Sequence, residues 1–232
     1  MAPFQLRVEH CPAGYRRLLL ARPERRNALD VGLARALRDA LGREESAPVV
    51  LGSTDPAVFC AGADLDLPDA GRAEVSDLLY DCYEIMVTRP GPVIAVVGGP
   101  AVGGGAQLAA AADLRIAGPA AKLRWTGPPG RGLAVGAWVL TDLVGRGTAM
   151  ELTLTGRWVG AAEALAIGLV NRVDDDPGQV AAGIAAELAA RGPQAPARVK
   201  SVAAAGGLLE RLHAERRANA AAWAQATAPA TG

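Results

Sequence analysis

Two hydrophobic periods alternate along most of the chain. Short apolar runs, several of them rich in valine, isoleucine or leucine, have the length typical of buried strands. Longer segments place apolar residues three or four positions apart, as an amphipathic helix does. This alternation of strands and helices favours an α/β fold. The predicted strands are FQLRVE (4–9), YRRLLLA (15–21), PVVLGS (48–53), VIAVV (93–97), DLRIA (113–117), KLRW (122–125) and GLVNRV (168–173).

The clearest helix signal follows Asp30, a residue type favoured as an N-cap. Leu33, Leu37 and Leu41 come after it at four-residue spacing and form one apolar face. A second long helix is predicted over 71–88. Further helices are predicted from the glycines at 103–105 and over 132–145, 161–168, 178–191 and 195–223, the last one weakened at Gly206 and Gly207.

Three consecutive glycines, Gly103 to Gly105, stand between the apolar run at 93–97 and a predicted helix. A phosphate-binding loop starting at Gly98 would need lysine at 104 and serine or threonine at 105, and both are glycine. A dinucleotide fingerprint starting at Gly103 fails at Leu108. The glycines can instead present backbone amides at a helix start, which is an environment suited to negative charge.

A second loop of small residues, Ala61-Gly62-Ala63, precedes Asp64. Two loops whose amides converge on one oxygen make an oxyanion hole, which stabilises charge developing on a carbonyl group. Each loop alone is weak evidence, because glycine also serves close packing between a strand and a helix. Tight packing therefore stays open as the alternative interpretation.

Charge and cysteine content exclude several classes of function. The formal net charge is zero, and arginine supplies all of the 24 basic residues except Lys122 and Lys200. A general attraction to nucleic acid or to an anionic membrane is therefore not expected. The most apolar window, 92–112, contains Pro100 and several glycines and is not predicted to span a membrane. Cys11, Cys60 and Cys82 show no metal-ligand spacing and, without a recognisable signal peptide, predict reduced thiols in a cytoplasmic protein.

Four segments together resemble the enoyl-CoA hydratase/isomerase (crotonase) superfamily. They occur in the family's order and at family-like spacing, and the resemblance covers roughly residues 5 to 175. The segments are RPERRNALD (22–30), FCAGADL (59–65), PVIAVVGGPAVGGGAQLAAAADLRIA (92–117) and LTGRWVGAAEALAIGLVNRV (154–173).

The resemblance implies an α/β spiral of ββα units over 1–175 and a shortened C-terminal helical region over 176–232. It also implies trimers, often paired into hexamers, and an acyl-CoA ligand whose coenzyme A belongs to the substrate; no other cofactor and no metal are expected. The amides of Ala63 and Gly104 would surround the thioester carbonyl. Ala61, Asp64 and Leu65 would lie along adenine and pantetheine. Arg25 and Arg26 would lie near the nucleotide phosphates, with a solvated pair of loop residues as the alternative.

Both glutamates that activate water in the family's hydratases are missing from this sequence. Gln107 occupies the first position, and a carboxamide has no useful basicity at neutral pH. The second position falls in the loop at 125–130, where Thr126 and Gly127 stand and no acid is present. Ordinary hydration is therefore not expected. Other acids of the next helix region, Asp66, Asp69, Glu74 and Asp77, are candidates to substitute, or simply exposed charges.

By the same resemblance, Tyr80, Tyr83 and Trp125 are expected around the acyl group, with core packing as the alternative for Trp125. His10 and His213 lie outside the motifs, so a histidine-dependent hydrolase is poorly supported. Two functions remain open. The first is an enzyme that stabilises an enolate for lyase or isomerase chemistry; the second is a non-catalytic accessory subunit that binds acyl-CoA or a protein partner.

Overall fold

The computed structural model describes residues 5–43 and 46–227 as two sheets surrounded by helices. The strands are β1 (Leu6–Cys11), β2 (Tyr15–Leu20), β3 (Val49–Ser53), β4 (Val93–Val97), β5 (Pro100–Val102), β6 (Leu114–Ala117), β7 (Lys122–Arg124), β8 (Val159–Gly160) and β9 (Arg172–Val173). The helices are α1 (Val31–Leu41), α2 (Asp69–Thr88), α3 (Gly104–Ala111), α4 (Ala137–Thr155), α5 (Ala161–Ala166), α6 (Pro177–Ala190), α7 (Gln194–Ala203) and α8 (Leu208–Thr227), with a 3₁₀ turn at Pro23–Arg25.

Successive strand pairs divide between the two sheets. The larger sheet has the order β1-β2-β3-β4-β6-β9, in which β1 and β2 are antiparallel and every later pair is parallel. The smaller sheet has the order β5-β7-β8. Two pairs of consecutive strands are therefore divided: β4 and β6 belong to the larger sheet, and β5 and β7, which follow them, belong to the smaller one. This placement brings the loops after β5 and β7 to the same side of α3.

Local sequence signals set most helix boundaries. The Asp30 carboxylate accepts a hydrogen bond from the Leu33 amide at 2.8 Å and caps α1 as the sequence predicts, a contact typically worth about 1 kcal/mol. Helix α4 begins only at Ala137, later than predicted, because Gly136 has a φ of 82°. The same helix is interrupted at Gly145, where φ is 74° and ψ is 157°.

The predicted strand at 168–173 is wrong over most of its length, since only Arg172–Val173 pairs with a neighbour. The amides of Leu169 and Val170 instead bond to the Ala164 carbonyl at 2.8 and 3.1 Å and close the end of α5. The buried Arg115 guanidinium binds the Leu169 carbonyl at 2.6 Å. Burial lowers the pKa of Arg115 to about 10, which leaves it charged at neutral pH.

The segment after 175 is packed tightly against the rest of the chain. Helix α6 covers the larger sheet through Ala181 and Ala185. The buried Lys200 of α7 donates to the Asp113 carboxylate at 2.7 Å and to the Met86 carbonyl at 2.8 Å. Because burial removes water from its ammonium group, the pKa of Lys200 is lowered.

The apolar stripe of α8 finds its partners inside its own chain. Leu212 is fully buried, Trp223 is 5% exposed, and Leu208 packs against the main core. From the sequence, either a neighbouring subunit or the rest of the same chain could cover this face. The burial shows that the same chain covers it, so the stripe is no argument for an oligomer. The sequence's last residues, 228–232, which contribute to the expected shortening of the C-terminus, lie outside the described residues.

Candidate active site

A single cleft of about 280 Å³ brings together most of the residues singled out from the sequence. Its walls come from the loop after Cys60, from α2, from the start of α3, from the loop after β7 and from α8. Ala61, Ala63, Gly104 and Gln107 lie on the side of the glycine loops. The other predicted site residues on its lining are Leu65, Tyr80, Tyr83, Thr126 and Gly127.

The two glycine loops meet at this cleft. The Cys60 carbonyl accepts a hydrogen bond from the Val102 amide at 2.9 Å, which joins the loops at their base. A Cβ built on Gly62 would lie 2.8 Å from the Val102 carbonyl oxygen and 3.8 Å from the Gly104 amide nitrogen. Among the described residues, neither the Ala63 nor the Gly104 amide has a hydrogen-bond acceptor. Two neighbouring loops that line one cavity therefore each carry a backbone N–H group without an acceptor.

Glycine is required in these loops by close contact as well as by conformation. Gly62 has a φ of 90° and Gly103 a φ of 54°, both in the left-handed region. A Cβ on Gly105 would lie 2.6 Å from the Cys60 carbonyl oxygen. Cys60 is fully buried beneath the loops, and burial raises the pKa of its thiol to about 12. A thiol with that pKa is not a nucleophile at neutral pH.

Gln107 lies one turn into α3 and is held by a tryptophan that sequence analysis did not select. Its Oε1 atom accepts a hydrogen bond from Trp138 Nε1 at 2.8 Å. An indole can only donate, so the carboxamide must turn its oxygen towards Trp138 and its NH₂ group away. Nε2 has no acceptor among the described residues and is not sealed from solvent. Because Gln107 lines the cleft, this group opens into it.

Tyr83 and Tyr80 form the aromatic wall of the cleft. The Tyr83 hydroxyl donates to the Gly104 carbonyl at 3.1 Å and its ring stacks on Trp138 with centroids 5.8 Å apart. Tyr80 packs edge-on against Tyr83 at 5.6 Å. Burial raises the pKa of both phenols, so neither is a base near neutral pH.

Helix α8 contributes two polar residues that the sequence alone did not reveal. Glu215 accepts hydrogen bonds from the Tyr80 hydroxyl at 3.0 Å and from the amides of Gly136 and Trp138 at 3.0 and 3.1 Å. Asn219 donates to the Tyr80 hydroxyl at 2.8 Å and lines the cleft. Burial raises the pKa of Glu215, while these donors act in the opposite direction. The only sequence signal was the presence of polar residues in an alanine-rich helix.

The four acids considered as substitute bases all form ion pairs with arginines and lie outside the cleft lining. Asp69 binds both Arg72 and Arg131, the latter from the loop after β7. The remaining pairs are Asp66 with Arg25, Glu74 with Arg35, and Asp77 with Arg216. The loop at 126–130 places only Thr126, Gly127, Pro128 and Pro129 on the cleft.

The residues expected around the nucleotide lie in the loop after Cys60 or next to it. Leu65 is 61% exposed at the edge of the cleft, where a ligand can cover it. The Asp64 carboxylate is buried and forms an ion pair with Arg22 at 3.3 Å, so its partner is a residue of the protein itself. Arg25 pairs with Asp66. The Arg26 carbonyl accepts from the Ala61 amide at 3.0 Å, and neither arginine lines the cleft.

Trp125 lies in the core behind the cleft and is absent from its lining, unlike the expectation for an acyl pocket. Its ring fills the space beside Gly136, where a Cβ would come within 2.3 Å of the indole Cδ1 atom. Over residues 5–43 and 46–227, no three histidine, cysteine, aspartate or glutamate side chains are grouped as metal ligands would be. Within the same ranges, no helix has the length and apolar character needed to cross a membrane.

Consecutive strands are divided between two sheets that helices surround, and two glycine loops meet at one cleft. These features together define a crotonase-like protein. A family model described as enoyl-CoA hydratase/isomerase matches residues 12–230. The chain therefore belongs to the enoyl-CoA hydratase/isomerase family, as the resemblance predicted.

Similar proteins agree with this assignment. The probable enoyl-CoA hydratase echA6 of Mycobacterium leprae is 40% identical over 164 residues, which cover 66% of this chain and 65% of that protein. Its namesake in Mycobacterium tuberculosis is 36% identical over 197 residues, covering 82% and 79%. The crystal structure of an enoyl-CoA hydratase/isomerase from Pseudoalteromonas atlantica superimposes with a TM-score of 0.83 at 28% identity, covering 97% of this chain and 92% of that one. The crotonase fold predicted from the sequence is confirmed.

Proposed function

We propose that the cleft binds an acyl-CoA thioester with its carbonyl oxygen between the amides of Ala63 and Gly104. The observation that carries this proposal is the pair of unsatisfied N–H groups on adjacent loops at the cleft. Such preorganised donors stabilise an oxyanion or enolate without reorganisation. The relatives' names, which refer to enoyl-CoA hydratases, support a CoA thioester as the ligand.

The chemistry we propose is enolate stabilisation in a lyase or isomerase reaction that needs no water-activating glutamates. Support comes from the cleft lining, which over the described residues contains no aspartate or glutamate. An accessory subunit that binds acyl-CoA or a protein partner without turnover is the second candidate, favoured by the locked orientation of Gln107. Mass spectrometry of co-purifying small molecules, followed by turnover assays with a panel of acyl-CoA thioesters, separates the two: product formation supports the enzyme, and binding without turnover supports the accessory subunit.

The carbonyl site can be tested without a variant. Butanoyl-CoA is expected to bind about tenfold more tightly than S-butyl-CoA, a thioether that lacks the carbonyl oxygen, because two hydrogen bonds of about 0.5–1.5 kcal/mol each are lost. Calorimetric titration gives both Kd values, and free CoA serves as the reference for the nucleotide portion. Equal affinity for thioester and thioether would show that the two amides do not bind the carbonyl.

At the other end of the ligand we propose that Leu65 covers the adenine or pantetheine and that Arg25 and Arg26 lie near the phosphates. Arg26 has no ion pair among the described residues, whereas Arg25 must exchange Asp66 for a phosphate. Removing the 3′-phosphate, by using dephospho-CoA thioesters, should weaken binding if this placement is right.

We also propose that the chain forms trimers or hexamers. The supporting observation is a set of exposed apolar side chains: Met150 and Leu154, which are four residues apart on α4, and Trp158 and Leu165, which follow in the next segment and on α5. Light scattering is expected to give the mass of three or six chains, and Leu154→Asp is expected to lower it. Val199→Asp, at an equally exposed position on α7, is the matched control. A wild-type monomer at micromolar concentration would contradict the proposal.

A further inference from the structure

Gln107 offers the cleft a hydrogen-bond donor whose direction is fixed. Trp138 Nε1 donates to Oε1 at 2.8 Å, and the Trp138 ring is itself stacked on Tyr83. Reversing the carboxamide would set two donors against each other in a buried position, since Gln107 is only 5% exposed. The NH₂ group therefore stays directed at the ligand space, where it can be satisfied by an acceptor oxygen.

This donor lies close to the proposed thioester site. Gly104 and Gln107 are three residues apart on α3, so they occupy the same face of one helical turn. Residues at that spacing are neighbours on the helix surface, so the Gln107 side chain and the Gly104 backbone belong to the same turn. A thioester oxygen at the Gly104 amide would place the next carbons of the acyl chain beside Gln107.

The charge of the lining favours the same class of acceptor. Arg72 and Arg124 line the cleft, and no acid does so among the described residues. Asp69 is the one carboxylate shared by Arg72 and Arg131. Arg124 donates to the Gly156 carbonyl at 2.5 Å and has no carboxylate within 4.0 Å in the described part of the chain. Its guanidinium also lies over the Trp158 ring, 5.7 Å from the ring centroid. Because Arg72 and Arg131 share one carboxylate, one positive charge is left over at the edge of the cleft.

We infer that the cleft selects acyl thioesters that carry a second carbonyl or carboxylate oxygen on C3, with Gln107 as the specificity-determining donor and Trp138 as its positioning residue. This inference rests on the proposed acyl-CoA function and names the acyl class for it. A purely hydrocarbon chain leaves the Gln107 NH₂ group without an acceptor. An oxygen on C3 satisfies it.

The test compares three thioesters of similar size by calorimetric titration. Malonyl-CoA, with a carboxylate on C2, and acetoacetyl-CoA, with a ketone on C3, both place an acceptor oxygen at the C3 carbon, whereas butanoyl-CoA has none. Malonyl-CoA is expected to bind about 10- to 100-fold more tightly than butanoyl-CoA, as a hydrogen bond to a charged acceptor allows, and acetoacetyl-CoA about fivefold more tightly. Kd values within twofold of one another for all three would overturn the inference.

Two variants assign the preference to the proposed residues. Gln107→Leu is expected to bring the ratio of the butanoyl-CoA and malonyl-CoA Kd values to within about threefold of one, because the donor is gone. Trp138→Phe keeps an aromatic ring on Tyr83 but no longer fixes the orientation of the carboxamide. The logarithm of the Kd ratio is therefore expected to fall to about half of its wild-type value. If Gln107 and Trp138 had only a structural role, both variants would weaken the binding of all thioesters alike and leave the Kd ratio unchanged. Gln179→Leu, on α6 away from the cleft, is the matched control.

The arms of the experiment separate the possible failures. If no CoA thioester binds, the proposed function fails and the inference falls with it. If all thioesters bind with equal affinity, only the inference is wrong. Repeating the comparison with N-acetylcysteamine thioesters, which lack the nucleotide, shows whether the positive charge serves the acyl oxygen or the CoA phosphates. A preference that survives in the short thioesters supports the acyl oxygen, and one that disappears overturns it.

Discussion

Crotonyl-CoA is expected to be hydrated by the wild-type protein at least about 10⁴-fold more slowly than by a family member with both glutamates, because each acid–base group contributes about 10²- to 10⁴-fold. The crotonase resemblance assigns Gln107 to one of the two positions, and Trp138 donates a hydrogen bond to its oxygen. The resemblance assigns Thr126 and Gly127, which line the cleft, to the region of the other position. Loss of the enoyl absorbance over time measures the rate.

Restoring one carboxylate is expected to recover little hydration. In Gln107→Glu the Trp138 indole would donate to the new carboxylate and lower its basicity, and the second acid would still be missing. Gly127→Glu adds that acid beside the cleft: a Cβ there would lie 3.2 Å from Leu133 Cβ and 3.6 Å from Val135 Cγ2. Small shifts of these side chains can accommodate it.

The double variant Gln107→Glu/Gly127→Glu is therefore expected to exceed either single variant by about 10²-fold, the contribution of one positioned acid or base. Gln179→Glu on α6 controls for the single negative charge that each single variant adds. Rapid hydration by the wild type would mean that another group supplies the base. The arginine-paired Asp69 would then be the first residue to replace, because its partner Arg72 lines the cleft.

Local patterns predicted those features that depend on neighbouring residues. The Asp30 cap, the apolar face of α1 and the strand at 93–97 need only a few adjacent positions, and the structure has them where expected. The glycine loops were also recognisable, because a run without side chains marks close backbone approach. Their meeting at one cleft agrees with the crotonase resemblance.

Contacts between distant segments explain what sequence could not supply. Trp138 is 31 positions from Gln107, and Glu215 is 135 positions from Tyr80, so no periodicity relates them. Trp125 has a side chain of the type expected in an acyl pocket, yet its position depends on the space beside Gly136. The stripe of α8 showed an apolar face correctly but could not show whether its own chain or another subunit would cover it.

Glu215 joins α8 to α2 and to the start of α4. The residue is 6% exposed, and its carboxylate accepts hydrogen bonds from three donors in those two elements. It also supplies negative charge at the N-terminus of α4, where Gly136 cannot cap the helix with a side chain.

Glu215→Ala is therefore expected to lower the free energy of unfolding by about 3 kcal/mol or more, since each buried donor left without a partner costs about 1–3 kcal/mol. Glu215→Gln should cost less, because it keeps one acceptor oxygen but turns an NH₂ group towards a backbone amide. Urea denaturation measures both, and Glu210→Ala, an exposed glutamate on the same helix, is the matched control. Because Tyr80, which lines the cleft, loses its carboxylate acceptor, Glu215→Ala should also weaken binding of every acyl-CoA thioester without changing the preference among them. A Glu215→Ala protein as stable as the Glu210→Ala control would show that α8 is held over the cleft by its apolar face alone.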